Sequence, residues 1–104
     1  MKKTLCSLLL GFGLAGACCA ETFLIDVRTP DEFNADHIPG ALNIEYQNIV
    51  QGAAAANIKA GDDVYLYCRS GKRAGVAEQS LKAEGYTSVT NLGGIEDARA
   101  ALGR

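Results

Sequence analysis

Beyond residue 20 the apolar positions alternate between two spacings. Phe23 to Val27 (FLIDV) is a short run of strand-forming residues that stops at Arg28, and it predicts a nearly buried strand. Thr29, Pro30, Asp31 and Glu32 then read as a helix start, with threonine as N-cap, proline at the first helical position and glutamate closing a capping box. That helix is short, because Pro39-Gly40 marks a turn. Ala41 to Ile44 predicts a brief second strand. From Tyr46, the residues Ile49, Val50, Ala53 and Ala54 recur at helical spacing and predict an amphipathic helix ending near Asn57, with Gly61-Asp62-Asp63 as the turn after it. Val64 to Tyr67 (VYLY) is the most strand-like run in the chain and delivers Cys68 at its C-terminal end. Ala74, Ala77 and Leu81 form a helical stripe closed by Gly85, Val89 to Leu92 is a last strand, and Gly93-Gly94 leads into the stripe of Ile95, Ala98 and Leu102. Strands alternating with helices imply an α/β domain of three layers, with a small parallel sheet of about four strands flanked by helices. Ligands in such folds bind beyond the carboxyl ends of the strands, which is where Cys68 falls.

The first twenty residues follow a different pattern. Lys2 and Lys3 precede an apolar run containing Leu5, Leu8, Leu9, Leu10, Phe12 and Leu14, which closes on the small residues Gly16, Ala17, Cys18, Cys19 and Ala20. This is the layout of a signal peptide, and the run is too short for a stable membrane span. Removal of residues 1–20 is expected to leave one domain, residues 21–104, in the periplasm. Ala15-Gly16-Ala17-Cys18 offers a second route, a lipoprotein anchored at Cys18, although alanine stands where such sites usually carry leucine. A membrane enters the picture only by that route.

Export changes what charge and cysteine counts mean. The full chain has a formal charge of −2, with twelve acids and ten bases; every acid lies beyond residue 20 and two bases lie before it, so the domain is more acidic still, at about −4. Nucleic acid is disfavoured as a partner. Cys6 is lost with the leader by either route, and Cys18 and Cys19 by the soluble one. Cys68 then stands alone, unable to form an internal disulfide.

Cys68-Arg69-Ser70-Gly71-Lys72-Arg73 joins a buried strand to a helix, and its composition suits an anionic sulfur. Ser70 and Gly71 let the backbone curl so that successive N–H groups point inward as an anion-binding nest. The following helix contributes the positive end of its dipole, and Arg69, Lys72 and Arg73 bring three cations to a domain that is acidic elsewhere. Such surroundings favour the thiolate over the thiol. A buried cysteine serving only as a small hydrophobe beside a solvated basic turn is the plainer alternative.

Three segments resemble the single-domain rhodaneses, the thiosulfate sulfurtransferases: LIDVRTPDEFNADHIPGALNI, YLYCRSGKRA and GYTSVTNLGGI, in that order and covering nearly all of the domain. The resemblance implies that Cys68 becomes a persulfide and that the backbone from Arg69 through Ser70, Gly71, Lys72 and Arg73 cradles the transferred sulfur. It places Asp26 and Arg28 in a D-x-R pattern followed by the acid Glu32. We read these three as a supporting ion-pair and hydrogen-bond set rather than as chemistry. His37, in the H-I-x-G turn, reads as structural too. The chain departs from the family's pattern in three ways. It lacks a strand and helix ahead of the D-x-R strand, it has Asp36 in place of a glycine, and no tryptophan follows Gly93-Gly94-Ile95.

The implied reaction moves the outer sulfur of thiosulfate, or of another sulfane-sulfur donor, through Cys68 to cyanide or a thiol acceptor. It needs no metal or organic cofactor, and a monomer suffices. A related class of phosphatases places arginine six residues after the cysteine. Here that position is Ala74, and the tighter loop suits one sulfur atom better than a phosphate. A non-enzymatic persulfide carrier or thiol redox sensor would use the same cysteine.

Overall fold

The computed structural model describes residues 20–104, so the leader assignment falls outside the described residues except for Ala20, as do Cys6, Cys18 and Cys19. The elements are β1 (Thr22–Asp26), α1 (Pro30–Ala35), β2 (Leu42–Asn43), a 3₁₀ turn (Tyr46–Asn48) running into α2 (Ile49–Ala55), β3 (Asp63–Cys68), α3 (Lys72–Ala83), β4 (Val89–Gly94) and α4 (Ile95–Leu102). The four strands are all parallel, in the order β2-β1-β3-β4. β1 and β3 therefore lie in the middle, and both run towards the same edge.

Alternation along the strands builds two cores. Ile25 and Val27 in the first strand region, with Val64, Leu66 and Cys68 of β3, face one side and pack with Ile49, Ala53, Ala74, Ala77 and Leu81 of α2 and α3. Tyr67, between Leu66 and Cys68, faces the other side with Ile38 and Ala98, joined by Leu24, Leu92, Ile95 and Leu102. Ala74, Ala77 and Leu81 have no exposed surface, so the expected stripe of α3 is its packing face. Burying a side chain the size of Leu81 stabilises by about 1.5–3 kcal/mol.

Helix α1 starts as expected. The Thr29 hydroxyl accepts from the Glu32 N–H at 3.2 Å and the Glu32 carboxylate accepts from the Thr29 N–H at 3.0 Å. The helix after Tyr46 differs from its expectation: its first turn is 3₁₀, its α-helical part stops at Ala55, and Ala54 is exposed. Two turns of helix present too narrow an apolar face to include Ala54. The chain then reverses at Asn57, whose φ of 63° asparagine tolerates well, and buried Ile58 completes the core.

Asp36 needs no glycine's freedom, since its backbone is extended at φ −172°. Its carboxylate pairs with Arg99 of α4 at 2.6 Å, and Arg104 donates to the Pro39 carbonyl at 3.2 Å. The turn at residues 36–40 is thereby fastened to the closing helix.

Candidate active site

Cys68 is the last residue of β3 and is 1% exposed. Only Arg69, Ser70 and Gly71 separate it from Lys72, the first residue of α3. So short a link forces a tight curl, and Gly71 takes the turning position at φ +99°, a conformation that costs an L residue roughly 1–2 kcal/mol. The curl aims backbone donors at the sulfur. The Gly71 N–H donates to Sγ at 2.9 Å and the Ala74 N–H at 3.4 Å. Lys72 and Arg73 open the helix, so their N–H groups have no intrahelical acceptor and add to the positive end of the helix dipole. Cys68 is the one free cysteine among the described residues.

The loop's side chains divide into two kinds. Ser70 and Lys72 are exposed, and the Arg69 side chain is 71% exposed, with its Nη1 4.0 Å from a Glu32 oxygen. Arg73 instead grips Glu32 with two hydrogen bonds, at 2.9 and 3.1 Å. Those bonds, helped by the Thr29 backbone N–H, pull the Glu32 carboxyl down to about 2, and the same contact raises the Arg73 guanidinium further above its ordinary value. Glu32 thus ties the start of α1 to the first turn of α3 across a sequence separation of 41. The Arg73 guanidinium is thus engaged by Glu32, and Lys72 and Arg69 are the loop's solvent-facing cations.

Asp26 and Arg28 are buried and bonded to each other rather than to Cys68. Arg28 donates to both Asp26 oxygens at 2.8–3.1 Å, and its Nη2 also donates to the Asp36 carbonyl at 2.6 Å. The guanidinium lies 5.8 Å from the centre of the Tyr67 ring. Its hydrogen bonds to Asp26 raise its pKa. The Tyr67 hydroxyl accepts the Ile38 N–H at 3.0 Å, and burial pushes its pKa up to about 12. This chain of contacts holds the residue immediately before Cys68. His37 hydrogen-bonds the Phe33 carbonyl through Nδ1 at 2.8 Å and stacks on the Phe33 ring with centroids 3.7 Å apart. Among the described residues no group of three or more His, Cys, Asp or Glu could hold a metal ion.

Sequence reasoning missed the far wall of the loop. Gly94 pairs with Cys68 across the sheet, and a β-carbon there would collide with the Arg69 carbonyl; one on Gly71 would lie 3.3 Å from Gly93. Asn91 donates to the Gly71 carbonyl at 3.0 Å. The signal was the Asn91-Leu92-Gly93-Gly94 run itself, which reads locally as a strand end.

The family model of the Rhodanese-like domain matches residues 14–101. The chain is 38% identical over 96 residues to the thiosulfate sulfurtransferase PspE of Escherichia coli (strain K12), covering 92% of this chain and 90% of that protein. It is 28% identical over 78 residues to the thiosulfate:glutathione sulfurtransferase of Saccharomyces cerevisiae, covering 64% of this chain and 56% of that protein. A solved structure of a rhodanese with anions from E. coli superposes with a TM-score of 0.70 at 37% identity, over 73% of this chain and 89% of that one. The four-stranded parallel sheet with its flanking helices is the rhodanese-like fold of that solved structure.

Proposed function

This chain belongs to the rhodanese family, and on that premise we propose that it is an exported thiosulfate sulfurtransferase in which Cys68 carries the sulfur. The observation that carries the reading is a buried sulfur at the end of a central strand, held by the N–H groups of Gly71 and Ala74 at the start of a twelve-residue helix.

The Cys68 thiolate attacks the outer sulfur of thiosulfate. A new S–S bond forms, the bond between the two thiosulfate sulfurs breaks, and its electron pair leaves with sulfite. Cys68 is then a persulfide whose negative charge lies on the terminal sulfur, inside the curl of loop N–H groups. In the second displacement an acceptor takes that sulfur and returns Cys68 to thiolate. Cyanide leaves as thiocyanate, and a thiolate leaves as its own persulfide. Sulfite leaves as an anion, so its departure needs no general acid. A thiol acceptor is supported by the likeness to a yeast enzyme that uses glutathione by name. The short loop, with Ala74 buried where a phosphatase would place its arginine, supports a one-atom cargo over a phosphate.

Residues 1–20 act as the leader in this reading, and residues 21–104 as the exported domain. Incubation with thiosulfate is expected to add about 32 Da, one sulfur, and cyanide to remove it. The Cys68→Ser protein should accept none. Sulfur transfer persisting in that variant would sink the mechanism. Loading without repeated turnover on small acceptors would leave a persulfide carrier.

A further inference from the structure

The sulfur loop closes against an irregularity in β4. Leu66 pairs with Asn91 and Cys68 with Gly94, so β4 advances three residues where β3 advances two. The extra residue is a bulge, and it swings Gly93 towards the loop. Asn91 holds both sides of this junction. Its Oδ1 accepts the Gly93 N–H at 2.8 Å, an Asx turn that keeps the bulge in shape, and its Nδ2 donates to the Gly71 carbonyl at 3.0 Å.

Gly71 is the residue whose N–H lies 2.9 Å from Sγ. Its carbonyl accepts from two donors, Asn91 and the Gly75 N–H at 2.9 Å. A peptide group is planar, so pinning that carbonyl turns the Lys72 N–H the opposite way, towards the N-terminal end of α3 where the sulfur sits. The Asn91 amide thereby restrains the one loop residue that must hold a positive φ while donating to Sγ.

We infer that Asn91 is a positioning residue for sulfur transfer, acting through the Gly71 peptide on the N–H groups around the persulfide. The inference rests on Cys68 being the sulfur carrier. A side chain that merely shaped the bulge would need only its oxygen, whereas positioning the loop needs its nitrogen. Asn91→Asp separates the two, because it keeps the oxygen facing Gly93 and puts a second oxygen against the Gly71 carbonyl.

The test is steady-state sulfur transfer from thiosulfate by the purified protein, run beside Cys68→Ser and Leu102→Ala, the last loosening the apolar cluster on the other face of the sheet. Asn91→Asp is expected to lower kcat about tenfold to a hundredfold with KM for thiosulfate within about twofold, the pattern of misplaced catalytic groups. Leu102→Ala should lose thermal stability and keep kcat. Asn91→Ser, too short to reach Gly71, should show the same split as Asn91→Asp and serves if the latter does not fold. Wild-type kcat in a folded Asn91 variant, a loss confined to KM, or an equal kcat loss in Leu102→Ala at matched stability would overturn the inference. A wild-type protein that takes no sulfur from thiosulfate would overturn the Cys68 reading, and this one with it.

Discussion

Lys72 and Arg73 are neighbours with opposite circumstances. Lys72 stands exposed at the mouth of the loop, while Arg73 is bonded to Glu32. Thiosulfate is a dianion, so Lys72→Ala is expected to raise its KM several-fold, from the loss of attraction on the order of 1 kcal/mol at a partly exposed site, with kcat little changed. The salt dependence of KM should become shallower, because screening weakens a charge that is no longer there. Titrating KM against ionic strength in both proteins checks this. Arg73→Ala should do something else as well: it strands the Glu32 carboxylate beside the loop and lowers stability by about 1 kcal/mol. The Glu32 pair also has a pH signature. The folded carboxyl lies at about 2 against an ordinary 4.5, so its stabilisation is fully present above 4.5 and is lost as pH falls towards 2. Urea unfolding of Glu32→Gln should accordingly show a shallower acid limb across that window than wild type.

Among the elements, the decisive contact is between the β3-α3 loop and the end of β4. Gly94 has no room for a β-carbon because the Arg69 carbonyl occupies it, and the obstacle is backbone rather than a movable side chain. Gly94→Ala is therefore expected to push the loop away from β4 and reduce sulfur transfer by at least tenfold, with a stability loss of roughly 1–3 kcal/mol for the overpacking. Circular dichroism and urea unfolding would show a folded protein. A Gly94→Ala protein of wild-type activity would mean that the loop does not depend on this wall. The helices were largely legible beforehand, because their signals are local: the Thr29–Glu32 capping box and the Ala74, Ala77 and Leu81 stripe each lie within one or two turns of chain. The β4 wall was not legible, because Asn91 and Gly71 are twenty residues apart and meet only when β4 has docked beside β3.

At the scale of the whole molecule, the end of the sheet opposite Cys68 bears on processing. The Glu21 nitrogen donates to a carboxylate oxygen of buried Asp62 at 3.0 Å, and the other Asp62 oxygen accepts the Lys59 N–H at 2.8 Å. Cleavage after Ala20 would turn that Glu21 amide into the chain's terminal ammonium, in place for an ion pair. A protein beginning at Glu21 is expected to be more stable than one beginning at Ala20 by on the order of 0.5–1 kcal/mol, and Asp62→Asn to remove most of the difference. Comparative urea unfolding measures it. The intact mass of the protein recovered from cells should start at Glu21; acyl groups on Cys18 would replace soluble export with a lipid anchor.

The amino-acid sequence by itself determined the alternation of strands and helices, the placing of Cys68 at a strand end, and the glycine-bearing basic loop after it. Each of these is written in near neighbours, through apolar period, capping chemistry and turn residues. Tertiary structure decided what the charges in that loop face. Arg73 goes to Glu32 because parallel pairing of β1 with β3 brings the starts of α1 and α3 to the same edge of the sheet. It decided too that Arg28 would bridge Asp26 and the Asp36 carbonyl beside the Tyr67 ring, and that Asn91, legible in the chain only as part of a strand end, would donate to the Gly71 carbonyl. Spacing along a chain sets what a segment can become, but a side chain's partner across the sheet exists only once strand order and register have brought the two together.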